Sequence, residues 1–135
     1  MSDPAYALQV AVAAALLAHA EAAALVGTAV YSRHQAFADV FPRFSLEPPQ
    51  VLPADGCNDE SEAYLTVHSW ARGPDATLVA SQMAGAARAA LDAPLSLDGH
   101  RISSHRFDGS RAVGDPDPNV EHVVSVFRYS TQPTG

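Results

Sequence analysis

Six histidines and one cysteine are the side chains of this 135-residue chain with the widest chemical range. Cys57, His68 and His122 have the types for a zinc site, or for a thiol nucleophile with its base and an orienting group. No CxxC or HExxH spacing accompanies them, and Cys57 stands in a stretch rich in proline, glycine and acid, where a catalytic thiol is poorly held. His100 and His105 are five residues apart on a predicted strand, which puts them on opposite faces. Asp55, Asp59, Glu60 and Glu62 lack the alternating oxygen ligands, central glycine and closing glutamate of a calcium loop and read as a solvated acidic loop. Asp115, Asp117 and Asn119, interleaved with prolines, read as a stiffened hairpin turn that needs no metal. Phosphate-cradling glycine loops and a GxSxG elbow are absent. Nothing here asks for an enzyme, a metal or a cofactor.

The overall charge narrows the partners. A formal net charge of −7 repels phosphate backbones, and the eight cationic residues, all arginine, are scattered from Arg33 to Arg128 with no basic run, so tight nucleic-acid binding is not expected. A lone cysteine forms no internal disulfide and suits a reducing compartment. The start of the chain does not resemble a secretory signal. The segment 6–26 is apolar enough to raise the question of a membrane span, but Gln9, His19 and Glu21 bring its insertion balance near zero, and a helix lying on a sheet is the expectation.

The elements that would position these residues follow from periodicity. One continuous helix is predicted over 6–26, with Ser2 or Asp3 as its cap, Gly27 past its end, and Leu8, Val12, Ala15, Leu16, Ala23 and Val26 inward. Short strands are expected at Val30 and Tyr31 and at 44–46, where Pro48 and Pro49 interrupt; 50–62 reads as a loop or an extended hairpin tip. Residues 63–72 are the clearest strand. Ala63, Leu65, Val67 and Ser69 form a small apolar face for helices, while Tyr64, Thr66, His68 and Trp70 form a large aromatic face that a loop or a partner must cover. A helix over 76–91 with Val79, Met83, Ala86, Ala87 and Ala90 inward, a strand over 100–111, and a central strand over 120–129 complete one domain spanning 1–135. The predicted class is α+β, an antiparallel sheet of about four strands with two helices packed on one face.

The stretches 65–72, 89–101, Asp115 with Asp117, and 122–128, taken in that order with the initial helix ending at Leu25-Val26-Gly27, then Val30-Tyr31 and Phe41-Pro42, resemble the small tail-completion or tail-terminator family of long-tailed phages and gene transfer agents. The likeness covers nearly the whole chain and departs at the acidic, proline-broken segment 48–62. It implies a structural virion protein at the head-proximal end of a tail, assembled in the bacterial cytoplasm: a ring, commonly a hexamer, that caps the tail tube and joins a head-side connector or stopper. DNA would pass through its channel without specific binding, and no membrane is involved. In that setting Tyr64, His68, Trp70 and Phe127 would make subunit contacts. The loops carrying Asp55, Asp59 and Glu60, and Asp115, Asp117 and Asn119, would reach the tube or the connector. A reading from another class is a homo-oligomeric module that binds a small ligand, which requires a concave apolar pocket with a few converging polar groups.

Overall fold

The computed structural model describes residues 3–32, 39–54 and 60–134. The chain runs α1 (Ala5–Ala18), α2 (Ala20–Val26), β1 (Val30–Ser32), β2 (Arg43–Leu46), β3 (Gln50–Pro53), β4 (Ser61–Arg72), α3 (Ala76–Asp92), β5 (His100–Val113) and β6 (Val120–Pro133). The strands form one open sheet in the order β1-β2-β4-β6-β5, with β3 also paired to β4. Only β1 and β2 run parallel; the other pairings are antiparallel. The mixed α+β class is as expected, but the described residues contain six strands and three helices, more than the sequence pattern resolves.

The extra elements have local causes. β2 and β3 lie end to end along the same side of β4, one opposite 67–70 and the other opposite 61–64. Pro48 and Pro49, which have no N–H to donate, part them, while the Glu47 N–H still reaches the Thr66 carbonyl at 3.2 Å. Of the segment 50–62, expected as a loop or an extended hairpin tip, residues 50–53 are a strand paired to β4, with the Ala54 N–H donating to the Glu60 carbonyl at 3.1 Å. The expected single N-terminal helix is two helices meeting at 84°. His19 takes an extended conformation between them, and its Nδ1 accepts the Ala22 N–H at 3.4 Å, capping α2. An alanine-rich pattern carries helical periodicity straight through position 19, so the break lies in one cap. Among the described residues no single helix is long and apolar enough to cross a membrane.

All three helices pack on one face. Leu8, Val12 and Leu16 of α1, Ala22 and Val26 of α2, and Ala80, Met83, Ala87 and Leu91 of α3 meet Phe44, Leu46, Leu65, Val67, Phe127 and Tyr129 from the sheet. Ala15, Ala23 and Val79, expected inward, are only partly buried; the break at His19 rotates α2 so that Ala22 replaces Ala23, and α3 buries Ala80 in place of Val79. β4 and β6 pair without a slip from Ser61↔Thr131 to Arg72↔Val120, so every second residue along both faces the helices. β5 is an edge strand with two register shifts, and Gly109 at the second has a φ of 131°, which only glycine adopts without strain.

Candidate functional site

No described helix covers the other face of the sheet. The register puts Tyr64, Thr66, His68, Trp70 and Arg72 of β4 there, beside Arg43 and Ser45 of β2 and Val120, His122, Val124, Val126 and Arg128 of β6. Most of these side chains are half-buried, because they pack on one another.

At its centre is a chain of polar and aromatic groups. The Glu47 carboxylate accepts from His68 Nε2 at 2.7 Å, and His68 Nδ1 is 2.7 Å from His122 Nε2. Nε2–H of His68 is the donor to the carboxylate, and the direction of the His68–His122 bond follows the proton on Nδ1 of His68. The Trp70 ring lies on His122 with centroids 3.6 Å apart and planes 11° apart, and its Nε1–H donates to Ser45 Oγ at 2.9 Å. The Arg43 guanidinium sits 4.7 Å above Trp70 and 4.8 Å from the Phe41 ring, and Arg72 approaches the same Phe41 at 4.6 Å. Burial, then the adjacent His68, with Arg43 and Arg111 adding, push His122 down to about 4 against the pull of Asp115, so its ring is neutral near pH 7. Burial also lowers Arg43, opposed by Tyr31, Asp115 and Asp39.

This is a stacked, hydrogen-bonded patch. Among the described residues neither ring is bonded to a hydroxyl or thiol that it could activate, and no group of three or more His, Cys, Asp or Glu side chains is placed to hold a metal. The open grooves differ: one between α3 and β5 is lined by Arg88, Asp92, His105 and Arg106 beside Phe107 and Phe127, while those beside α1 are mainly apolar. One of about 510 Å3 runs beside α1 and is lined by Tyr6, Val10, Val30, Leu46, Pro48 and Pro49, with Gln9 and Ser32 among its few polar side chains.

The sequence-predicted residues separate into groups. Tyr64, His68 and Trp70 come together on the open face. Phe127 does not: its register partner is Leu65, it is 3% exposed, and it packs in the helix-covered core with the Phe107 ring 5.4 Å away. Position 127 is odd in a strand whose even positions face outward, which removes it from that surface. Asp55 and Asp59, like Cys57, lie outside the described residues. Glu60 accepts from Gln132 Nε2 at 3.0 Å near the start of β4. Asp115 and Asp117 accept the N–H groups of Asp117 and Asn119, each at 2.9 Å, and the Asn119 carbonyl takes the Gly73 N–H at 2.9 Å, so the β5–β6 tip is docked at the end of β4. Glu60 and the turn carrying Asp115, Asp117 and Asn119 therefore sit at opposite ends of β4, roughly 35 Å apart at about 3.3 Å per residue.

Scattered in sequence, the arginines are gathered in space, contrary to the expectation of no basic stripe. Arg33 is outside the described residues; of the other seven, Arg43, Arg72, Arg101, Arg106, Arg111 and Arg128 all fall on the open face, and only Arg88 is in the helix layer. The Tyr64 hydroxyl, then the nearby Glu62, raise Arg128 above its ordinary value. Glu47 and Arg43 carry no signal in the sequence, whereas His122 stands out there only for zinc or thiol chemistry. His122 was legible, since it shares parity with Val120 and Val124.

The comparisons with known proteins agree with this architecture. Over 98% of its length the chain matches a chain of the native gene transfer agent virion, with a TM-score of 0.81, 28% sequence identity and 99% of that chain covered. A second solved structure, 13% identical with a TM-score of 0.59, covering 96% of this chain and 92% of its own, shows the fold alone. No curated protein matches significantly. Residues 10–132 match the family described as tail completion protein gp17, so the chain belongs to that family and is a structural protein of a virion tail.

Proposed function

We propose that this protein is the terminator of a tail tube. Copies close head to tail into a ring, hexameric as in the resemblance, which stops the tube growing, presents its other rim to a head-side connector and leaves a channel for DNA. A heterologous interface closes into a ring when its rotation allows and otherwise propagates as a filament. One domain of 135 residues suffices, and no bond-making step is assigned to it. The observation that carries this reading is the sheet face, bearing Tyr64, His68 and Trp70 and covered by no described helix, that lies between Glu60 and the Asp115, Asp117 and Asn119 turn at opposite ends of β4. A subunit with a sticky flank and two distinct ends is what a ring between unlike neighbours needs. Because Phe127 lies beneath this face, its contribution is to hold β6 flat, and the contacts fall to Tyr64, His68 and Trp70. The loops with Asp55, Asp59 and Glu60 and with Asp115, Asp117 and Asn119 are assigned to opposite rims.

The test is to add purified protein to polymerising tube protein and measure tube lengths by electron microscopy. Short tubes, each with an annulus at one end and of about six times the 14.2 kDa chain mass, are expected. Tubes that grow to the same length with and without it would sink the proposal.

A further inference from the structure

The register sorts charge between the two layers. Six arginines outnumber Glu47, Glu62 and Asp108 on the open sheet face, whereas the helices and their connections carry exposed Asp3, Glu21, Asp75, Asp92 and Asp98 against the single Arg88. Each layer also has an apolar strip. On the sheet it is Trp70, Val124 and Val126, framed by arginines. On the helix layer it is Tyr6, Val10 and Leu17 of α1, 78%, 49% and 43% exposed, with Asp3 and Asp98 lining the groove beside Tyr6 and Val10. α1 is apolar almost all round, which suits a helix enclosed on both sides.

We infer that the open sheet face of one copy receives the helix layer of the next copy, the α1 strip lying on the Trp70–Val124–Val126 band and the surrounding acids facing the arginines. The inference rests on the ring reading and adds which two surfaces meet. Surfaces that differ from one another yet complement each other in charge and polarity form a heterologous contact, the kind that builds rings. The mixture on the sheet face, with Trp, Tyr and Arg enriched and lysine absent from the chain, matches the core of a protein interface. It fits a phosphate backbone less well, because Arg106 is paired to Asp108 at 3.2 Å, Arg101 is bonded to Gln132, and Glu47 and Glu62 share the face.

Light scattering on three variants tests it: the sheet variant R106E/R111E, the helix-layer variant E21R/D98R, and all four changes in one chain. All four positions are exposed, and far-ultraviolet circular dichroism checks the folding of each variant. Each pair alone is expected to weaken self-association by about tenfold or more, and the combined variant to recover most of it, because the layers have exchanged signs. A measurement without variants backs this up: wild-type association weakens as salt rises from about 0.1 M to 1 M and the screening length falls from about 10 Å to 3 Å. A sheet variant that assembles like the wild type, a combined variant no better than either pair, or an association indifferent to salt each overturn the inference and leave the ring standing. A sheet variant that assembles normally but no longer retains DNA overturns it in favour of a polyanion on this face. Wild-type protein that stays monomeric alone and on tube ends removes the ring reading itself, and the inference with it.

Discussion

Neighbouring residues of β4 and β6 occupy different surroundings. Leu65, Val67, Phe127 and Tyr129 point into the helix layer and are at most 3% exposed, while Tyr64, Thr66, Val124 and Val126, one position along, are half-buried with no described helix above them. The covered face is built from aliphatic volume and close packing. The open face is built from aromatic stacks, a Glu–His–His chain and arginines, two of which, Arg43 and Arg72, set their guanidinium groups over rings. The physics assigns them separate roles, since burial under helices sets whether the chain folds, while side chains that lean only on one another can be changed with modest effect on folding and a larger one on what docks there.

The strongest test of this contrast exchanges a single side chain on each face. Leu65→Ala removes a fully buried side chain from the core and is expected to cost about 2–5 kcal/mol. Val126→Ala, on the open face opposite Thr66, is expected to cost less than about 1 kcal/mol, because little of its environment is dry. Urea unfolding of both variants reads the difference as a shift of midpoint with the slope unchanged. Equal losses would show that the open face is covered in the free protein, and the contrast would collapse.

Much of this contrast was legible in the residues. Alternation in 63–72 separates Ala63, Leu65, Val67 and Ser69 from Tyr64, Thr66, His68 and Trp70, and the structure keeps that division. What stayed hidden needed contacts between segments distant in sequence. The arginines at 43, 72, 101, 106, 111 and 128 share a face only once three strand pairings and two bulges in β5 are set, and no run or spacing announces them. Phe127 was misplaced because its aromatic character outweighed its parity. The break at His19 escaped because one imidazole cap, accepting one N–H, overrides a run of helix-favouring alanines.

Acidity probes the open face at its most buried point. His122, ordinarily near 6.5, is pushed down to about 4 by burial and by His68. Between those values the unfolded chain binds a proton that the folded one does not, so the contribution of the neutral ring is fully present above about 6.5 and is lost as pH falls toward about 4. Stability is expected to decline across that window by less than the one-proton limit of about 1.4 kcal/mol per pH unit, and His122→Phe should flatten the decline. Trp70, the only tryptophan, stacks on this ring, so its fluorescence reports the titration directly. An emission curve that follows pH identically in wild type and variant would detach the event from His122.

The smallest expected effect lies on the covered face and has the opposite sign. Ser69, Ser125, Tyr129 and Thr131 each bury a hydroxyl that finds no hydrogen-bond partner among the described residues, and burial drives the Tyr129 phenol well above its ordinary titration range. An unbonded hydroxyl in a dry layer loses water without a replacement, at a cost of roughly 1–3 kcal/mol. Ser125 is fully buried opposite Val67, and Ser125→Ala keeps its Cβ while deleting only the hydroxyl. Ser125→Ala is therefore expected to stabilise the fold by about 1 kcal/mol, a gain visible in the thermal midpoint, and to leave ring formation unchanged because the residue faces the helices. A destabilised variant would mean that the hydroxyl has a bonding partner in solution, and the covered face would then be wetter, and closer in character to the open one, than its packing implies.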